Sequence, residues 1–143
     1  MILHAGLIAR FDAPWWRGVL IEGASGAGKS DLALRLLGQR WALVADDRCE
    51  VWAEGGRVFG RAAEPLKGLI EVRGLGVGPV VVRDFAPIAL VARCVEPAHV
   101  ERLPDSETVN LLGRPLPLLN IAALQASAPM KLAYALTRLG LRR

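Results

Sequence analysis

Two kinds of apolar pattern alternate along this chain. Short, nearly continuous hydrophobic runs bounded by Gly, Pro or charged residues predict buried strands, and apolar positions spaced by three and four predict helices. LHAGLIARF (3–11) has the content of a strand, which Pro14 in DAPWWR then interrupts. GVLIEG (18–23) is a short buried strand that runs directly into a glycine-rich loop. From Ser30 to Leu37, Leu32, Ala33, Leu36 and Leu37 follow helical spacing, and Gly38 is placed to stop the helix. WALVA (41–45) predicts the next strand, with Asp46 and Asp47 at its end.

CEVWAEGGRVFGR (49–61) reads as a hairpin about Gly55-Gly56. LIEVRGLGVGP (69–79) reads as a short strand followed by a glycine-rich stretch, and VVV (80–82) and PIALVARCV (87–95) as further strands. HVERLPD and VNLLGRPLPLLNI read as shorter pieces punctuated by proline. In PMKLAYALTRLGL (129–141), Met130, Ala133, Tyr134, Leu136 and Leu139 predict one apolar helix face, with Pro in the first turn. The expectation is a strand-rich α/β fold with a C-terminal helix, one domain over residues 1–143.

Composition changes this picture little. A 52% apolar chain of 143 residues can bury one core, and no run approaches the roughly 20 apolar residues of a membrane span. The N-terminus has no secretory pattern, so the expected location is cytoplasmic. Cys49 and Cys94, far apart and in apolar contexts, read as buried free thiols, and His4 and His99 are too isolated to suggest zinc. The net charge of +4 comes from 15 arginines and 3 lysines, scattered apart from Arg138, Arg142 and Arg143. Without interleaved basic and aromatic residues, the charge favours phosphate-bearing or acidic partners rather than nucleic acid.

Candidate chemistry begins in the loop. Gly23-Ala24-Ser25-Gly26-Ala27-Gly28-Lys29-Ser30 fits G-x-x-x-x-G-K-[ST] at every fixed position. Glycines let successive backbone N–H groups converge on phosphate oxygens, the following helix adds its positive end, Lys29 reaches the β/γ oxygens, and the Ser30 hydroxyl is a magnesium ligand. Asp46 and Asp47 follow only one short helix later, earlier than in common nucleotide-hydrolysing proteins. If the strand persists, the two carboxylates point to opposite sides, one toward a metal or its water and one toward an acceptor hydroxyl as base. Either acid fits either part.

GVLIEGASGAGKSDLALRLL, then LVADD, then LIEVRGLGV, in that order, resemble the HPr kinase/phosphorylase catalytic domain over roughly residues 3 to 120. The resemblance implies a P-loop-containing core related to phosphoenolpyruvate carboxykinase. It implies an ATP- and Mg²⁺-dependent kinase that phosphorylates a serine of an HPr-type phosphocarrier of the phosphotransferase system, and phosphorolysis as a reverse reaction. Residue by residue, Asp47 matches the family's general base and Asp46 its helper, with an exchange of the two left open. Glu71 in IEVRG matches a metal-linked acid that would hold Mg²⁺ with Ser30, and Gly74 and Gly76 would let the backbone approach. His4 matches a histidine that holds inorganic phosphate or orients the acid. Arg102 in VERLPD matches a catalytic arginine, with Arg114 as fallback. The resemblance also implies a homohexamer, with helix 129–141 a candidate for substrate docking or subunit packing.

The sequence departs from the family twice. It begins almost at His4, as a short catalytic-core form would. It also lacks the Pro-Gly-Arg-Asn loop linked to phosphorolysis, for which Lys131 is a substitute cation. Two other readings stay open: a small-molecule kinase on the same core, whose site a lid should close, and an ATP-binding regulatory module without phosphotransfer, which would not need the paired acids.

Overall fold

The computed structural model describes residues 1–38, 40–63, 68–72, 74–79 and 82–142, of which 71, 78 and 79 by backbone alone. The chain opens with β1 (Ile2–Leu3), then β2 (Ala5–Asp12) and β3 (Trp15–Glu22), α1 (Lys29–Leu36) and β4 (Trp41–Ala45). β5 (Cys49–Glu54) and β6 (Arg57–Ala62) form the hairpin expected about Gly55-Gly56, with Cys49 opposite Ala62 and Glu54 opposite Arg57. β7 (Leu69–Val72), β8 (Gly76–Pro79), β9 (Phe85–Cys94), a 3-10 turn (Pro97–His99), β10 (Glu107–Leu111), β11 (Arg114–Ile121) and α2 (Ala128–Leu139) complete it.

Among the described residues, nine strands make one mixed sheet, running β1-β5-β6-β9-β3-β2-β4, with β11 also paired to β9 and β10 to β11. β3 lies at its heart, antiparallel to β2 and parallel to β9. Alternate residues of these strands serve two cores. Ile8, Val19, Ile21, Leu90 and Ala92 face the side covered by α1 and α2. Leu7, Ala9, Leu20 and Val91 face the side shared with Val51, Val58, Leu116 and Leu118. Burial on both faces explains why these strands read as continuous hydrophobic runs rather than as alternation.

Several expectations shift. The strand predicted from Gly18 starts at Trp15, because the Ala13-Pro14 turn folds Trp15–Glu22 back along Ala5–Asp12 as one hairpin. LIEVRGLGVGP is itself a hairpin, β7 against β8. Of VVV, residues 80 and 81 lie outside the described residues. The pieces predicted from VNLLGRPLPLLNI are a full hairpin, β10 with β11. Pro115 and Pro117 fit there because β9 joins β11 only from Leu118 onward, leaving the prolines with a strand on one side alone.

Of the apolar face predicted for the last helix, Leu136 is buried, but Met130, Tyr134 and Leu139 are 78%, 64% and 45% exposed, and the buried face is Ala128, Leu132, Ala135 and Leu136. Helical spacing admits two registers, and the larger side chains lie on the outer one. Small Ala128 and Ala135 let α2 lie close to the sheet, with Leu132 and Leu136 between them.

An ionic clamp also fixes α2. Arg10, buried on β2, donates to both oxygens of Asp12, to Ala133 O (3.1 Å) and to Thr137 Oγ1 (3.0 Å). Arg17, buried on β3, donates to Asp12 Oδ2 (3.0 Å) and to the carbonyls of Gly140 and Leu141. Burial alone would raise the Asp12 carboxyl, but hydrogen bonds and charge from Arg10 and Arg17 bring it below its ordinary value. A carboxyl lowered on folding contributes stability above its unfolded pKa, and that stability is lost as pH falls through the folded value. Acid titration should therefore loosen α2 below about pH 4. In an Asp12→Asn variant, the thermal midpoint should be lower at neutral pH and should change less between neutral pH and that range. An identical pH profile in the two proteins would contradict the clamp.

Candidate functional site

β3 ends at Glu22, whose carboxylate meets Arg93 of β9 at 2.7 Å, directly before the glycine loop. The loop then turns through Gly23–Gly28 into α1. Gly23 takes φ 154°, and a Cβ there would stand 2.9 Å from Cys94 Cβ. Ala27 N–H closes the turn onto Ala24 O at 3.0 Å. Lys29, only 8% exposed, donates from Nζ to Gly23 O (2.7 Å) and Ala24 O (3.1 Å). The ammonium is thus folded over the loop that a phosphate would fill, its charge held by two neutral carbonyls.

The paired acids separate. β4 stops at Ala45, so the persisting strand that would have sent them to opposite sides is absent. A turn takes its place, with Arg48 N–H bonded to Asp46 O and Asp47 at φ 69°. Ser30 Oγ donates to Asp46 Oδ1 at 2.7 Å. Asp47 Oδ1 lies 2.9 Å from His4 Nε2, and both side chains are about half exposed (48% and 58%). One carboxylate therefore addresses the loop hydroxyl and the other addresses the histidine.

The loop and both acids line one cleft of about 610 Å³, with Ser25, Gly26, Gly28, Lys29, Ser30, Asp46 and Asp47 joined by Asp31, Leu34, Leu69, Ile70, Val77 and Leu124, and His4 adjoins it through Asp47. Its rim is apolar and open, since Leu124 and Val77 are 67% and 65% exposed. Another hollow, of about 700 Å³, lies around Trp52, Phe59 and Phe85 and shares none of these residues.

Not every predicted residue joins the cleft. Glu71 sits in β7 opposite Val77, a strand whose Leu69 and Ile70 line the cleft, but its side chain lies outside the described residues. Gly74 in the β7–β8 turn and Gly76 at the start of β8 take positive φ, with open space around both. Arg102 stands on the exposed stretch before β10 and is not among the cleft's described lining residues. Arg114 lines a different hollow. Lys131, the substitute cation, is exposed on α2.

The structure adds partners that spacing could not reveal. Arg35 of α1 pairs with Asp31 (2.8 Å) and donates to the carbonyl oxygens of Ala123 and of Gln125 (3.0 Å), binding the segment before α2 to the loop's helix. That segment brings Leu124 over Gly28. Asp31, directly after Ser30, was within reach of the motif; Leu124, about a hundred residues away, left no signal.

The donor set suits magnesium. A hydroxyl and a carboxylate side by side are hard oxygen ligands, and Mg²⁺ takes one or two such groups plus water and phosphate oxygens rather than a protein cage. Among the described residues no group of three or more His, Cys, Asp or Glu stands ready to hold a metal. Burial pushes the Cys49 thiol up to about 12, a backbone hydrogen bond at Arg61 opposing and the Glu50 charge adding. Burial likewise raises Cys94, with Lys29 opposing and Glu22 adding. Both are free thiols, and neither is suited to act as a nucleophile.

The family model of the HPr serine kinase C-terminal domain matches residues 3–126. The HPr kinase/phosphorylase of Mycoplasma genitalium is 44% identical over 124 residues, covering 78% of this chain and 39% of that protein. That of Streptococcus thermophilus is 40% identical over 119 residues, covering 73% and 38%. The chain thus spans just under two fifths of the length of these relatives. The structure of the HPr(Ser) kinase/phosphatase from Coxiella burnetii superposes with a TM-score of 0.82 at 24% identity, over 96% of this chain and 95% of that one, which establishes the fold. No helix among the described residues is long and apolar enough to cross a membrane.

The contact between loop and C-terminal segment is directly testable. Gly28 takes φ 96°, and a Cβ there would lie 2.6 Å from Leu124 Cδ2. Gly28→Ala should cost about 1–2 kcal/mol for the left-handed backbone alone, and more for the clash. Leu124→Ala should remove the clash but not the backbone cost. Denaturant unfolding of the two single variants and the double variant should give a favourable coupling of at least about 0.5 kcal/mol. Strict additivity would mean that Leu124 does not rest on the loop.

Proposed function

The chain belongs to the HPr serine kinase C-terminal domain family, and from that premise we propose that it transfers the terminal phosphoryl group of ATP to a serine of an HPr-type phosphocarrier. The observation that carries this reading is the division of the acids. Ser30 with Asp46, and His4 with Asp47, line or adjoin one cleft with the phosphate loop. A nucleotide sensor has no use for a second carboxylate oriented by a histidine. A small-molecule kinase calls for a closing lid, whereas exposed Val77 and Leu124 suit a folded protein acceptor.

Asp47 is the base in this account. Its carboxylate accepts the proton of the acceptor hydroxyl as that oxygen attacks the γ-phosphorus, and His4 holds the carboxylate in place. Lys29 exchanges its carbonyl partners for phosphate oxygens, and the loop N–H groups share the same charge. Ser30 and Asp46 would hold magnesium, with Glu71 the family-matched third oxygen donor. When bound, the metal neutralises charge on the β and γ phosphates. Arg102 is the family-matched guanidinium for the transferring group. In phosphorolysis, the second activity in the relatives' names, inorganic phosphate would attack the phosphoserine phosphorus to form pyrophosphate, and the Asp47 carboxyl would give a proton to the leaving serine oxygen.

Further readings rest on the same premise. Residues 1–143 act as one catalytic domain of the P-loop, phosphoenolpyruvate carboxykinase-like class. A homohexamer would use the outer face of α2, where Met130 and Tyr134 are exposed, for packing or for docking the carrier.

The test is transfer of labelled γ-phosphate from Mg-ATP to a purified HPr-type protein. Labelling should require the acceptor serine and should fall by at least about 100-fold in Asp47→Asn. Asn also tolerates the left-handed backbone at this position, so the variant should keep its thermal midpoint. Full activity in Asp47→Asn would overturn the assignment of the base. No labelling by protein that still binds ATP would overturn the choice of acceptor.

A further inference from the structure

The β5–β6 hairpin and the start of β9 have two unlike faces. Strand alternation sends Cys49, Val51, Val58, Ala62, Ala86 and Ile88 into the core. It sends Trp52, Phe59 and Phe85 to the opposite face, where the Trp52 and Phe59 rings stack at 5.7 Å and Phe85 tilts against both. Trp52 and Phe59 are partly buried and Phe85 is nearly half exposed. These rings line the hollow of about 700 Å³, with Glu50, Glu54, Asp84 and Arg61 around them. Nothing in the phosphate-loop chemistry uses this aromatic face.

The chain itself shows what these rings accept. Arg61 lies over the Trp52 ring at 5.1 Å, and Arg57 lies over the Phe59 ring at 5.3 Å. Aromatic faces are electron-rich and attract cations in this way. Arg61 also pairs with Glu50 at 2.6 Å, yet its side chain is more than half exposed, so it is an occupant that a stronger cation can displace. Around the rings three carboxylates face two guanidinium groups, a local acidic excess in a chain of net charge +4. The spacing of the acids sets the shape of the cation. Glu50 and Glu54 mark the two ends of one face of β5, about 13 Å apart along the strand, with Trp52 between them. Among the described residues no group of three or more His, Cys, Asp or Glu is gathered to hold a metal ion. A compact ion meets one of these carboxylates at a time, whereas a linear one reaches two and lays its methylene stem on the indole.

We propose that this hollow binds a linear aliphatic polyamine, with ammonium groups at Glu50 and Glu54 and the methylene stem across Trp52. Asp84, beside Phe85, adds to the attraction. The ligand takes the place of the Arg61 guanidinium on Trp52 and Glu50, so the chain's own arginine competes with it. The hollow shares no described lining residue with the phosphate cleft, and the inference stands apart from the proposed phosphoryl transfer.

NMR of the full chain, titrated with spermidine at about 0.15 M salt, tests this directly. Saturable shifts should appear at the Trp52 indole N–H and at the amides of Glu54, Phe59 and Phe85. Magnesium chloride at matched ionic strength should bind there at least about tenfold more weakly, because it gains nothing from the rings. 1,8-Octanediol, which has a stem but no charge, should not saturate these signals. Trp52→Leu and Glu54→Gln should each weaken spermidine binding at least about threefold. Arg61→Gln, which removes the competing guanidinium, should tighten it by about the same factor. Glu54 and Arg61 are exposed, so these two variants should keep the thermal midpoint and leave the test standing if Trp52→Leu fails to fold. Equal binding of magnesium or of the diol would overturn the site, as would spermidine affinity unchanged in Glu54→Gln or no tighter in Arg61→Gln. None of these readouts depends on nucleotide binding or phosphoryl transfer, so failure of the kinase reading would show separately.

Discussion

Asp47 holds a backbone φ of 69°, a left-handed conformation that costs most L residues about 1 kcal/mol or more and that Asp and Asn enter most readily. That one turn decides what the site can do. Had β4 run on through Asp46 and Asp47, strand geometry would have sent the carboxylates to opposite faces of the sheet. The turn keeps both at the mouth of the phosphate loop and gives them different neighbours, Ser30 for one and His4 for the other. An acid beside a hydroxyl on a helix start suits a hydrated cation, and an acid beside an imidazole suits proton transfer. Backbone conformation here produces chemical division of labour.

The rest of the architecture holds that turn and the loop opposite each other. β3, buried on both faces, fixes Gly23 at the end of a strand locked to β2 and β9. β4 brings the acids from the far side of β2. The C-terminal segment closes the arrangement: Arg35 binds the carbonyls before α2, Leu124 bears on Gly28, and Asp12 with its arginines anchors α2 itself. The loop is therefore supported from two directions, one early in the chain and one late.

Much of this was legible in the sequence. The phosphate loop, the strand before it, α1, β4 and the β5–β6 hairpin rest on local signals, such as glycine spacing, helical periodicity and a Gly-Gly turn, and local signals survive folding. His4 and Asp47 could be paired only through resemblance, because 42 residues and the β2–β4 register lie between them. The buried face of α2 is not legible from side-chain size, because Met130 and Tyr134 are larger than Ala128 and Ala135, while close packing on a sheet rewards small side chains. The prolines of β11 hid a full strand because sequence does not reveal which of a strand's sides lacks a neighbour. The bonds from Arg35 to Ala123 and Gln125 and the seat of Leu124 on Gly28 depend wholly on contacts between distant segments.

The division of roles between the two carboxylates is most directly tested by nucleotide affinity with and without Mg²⁺ in Asp46→Asn and Asp47→Asn. The account predicts that Asp46→Asn abolishes the strengthening of ATP binding by Mg²⁺, whereas Asp47→Asn retains it in full. Equal loss in both variants, or loss confined to Asp47→Asn, would contradict it.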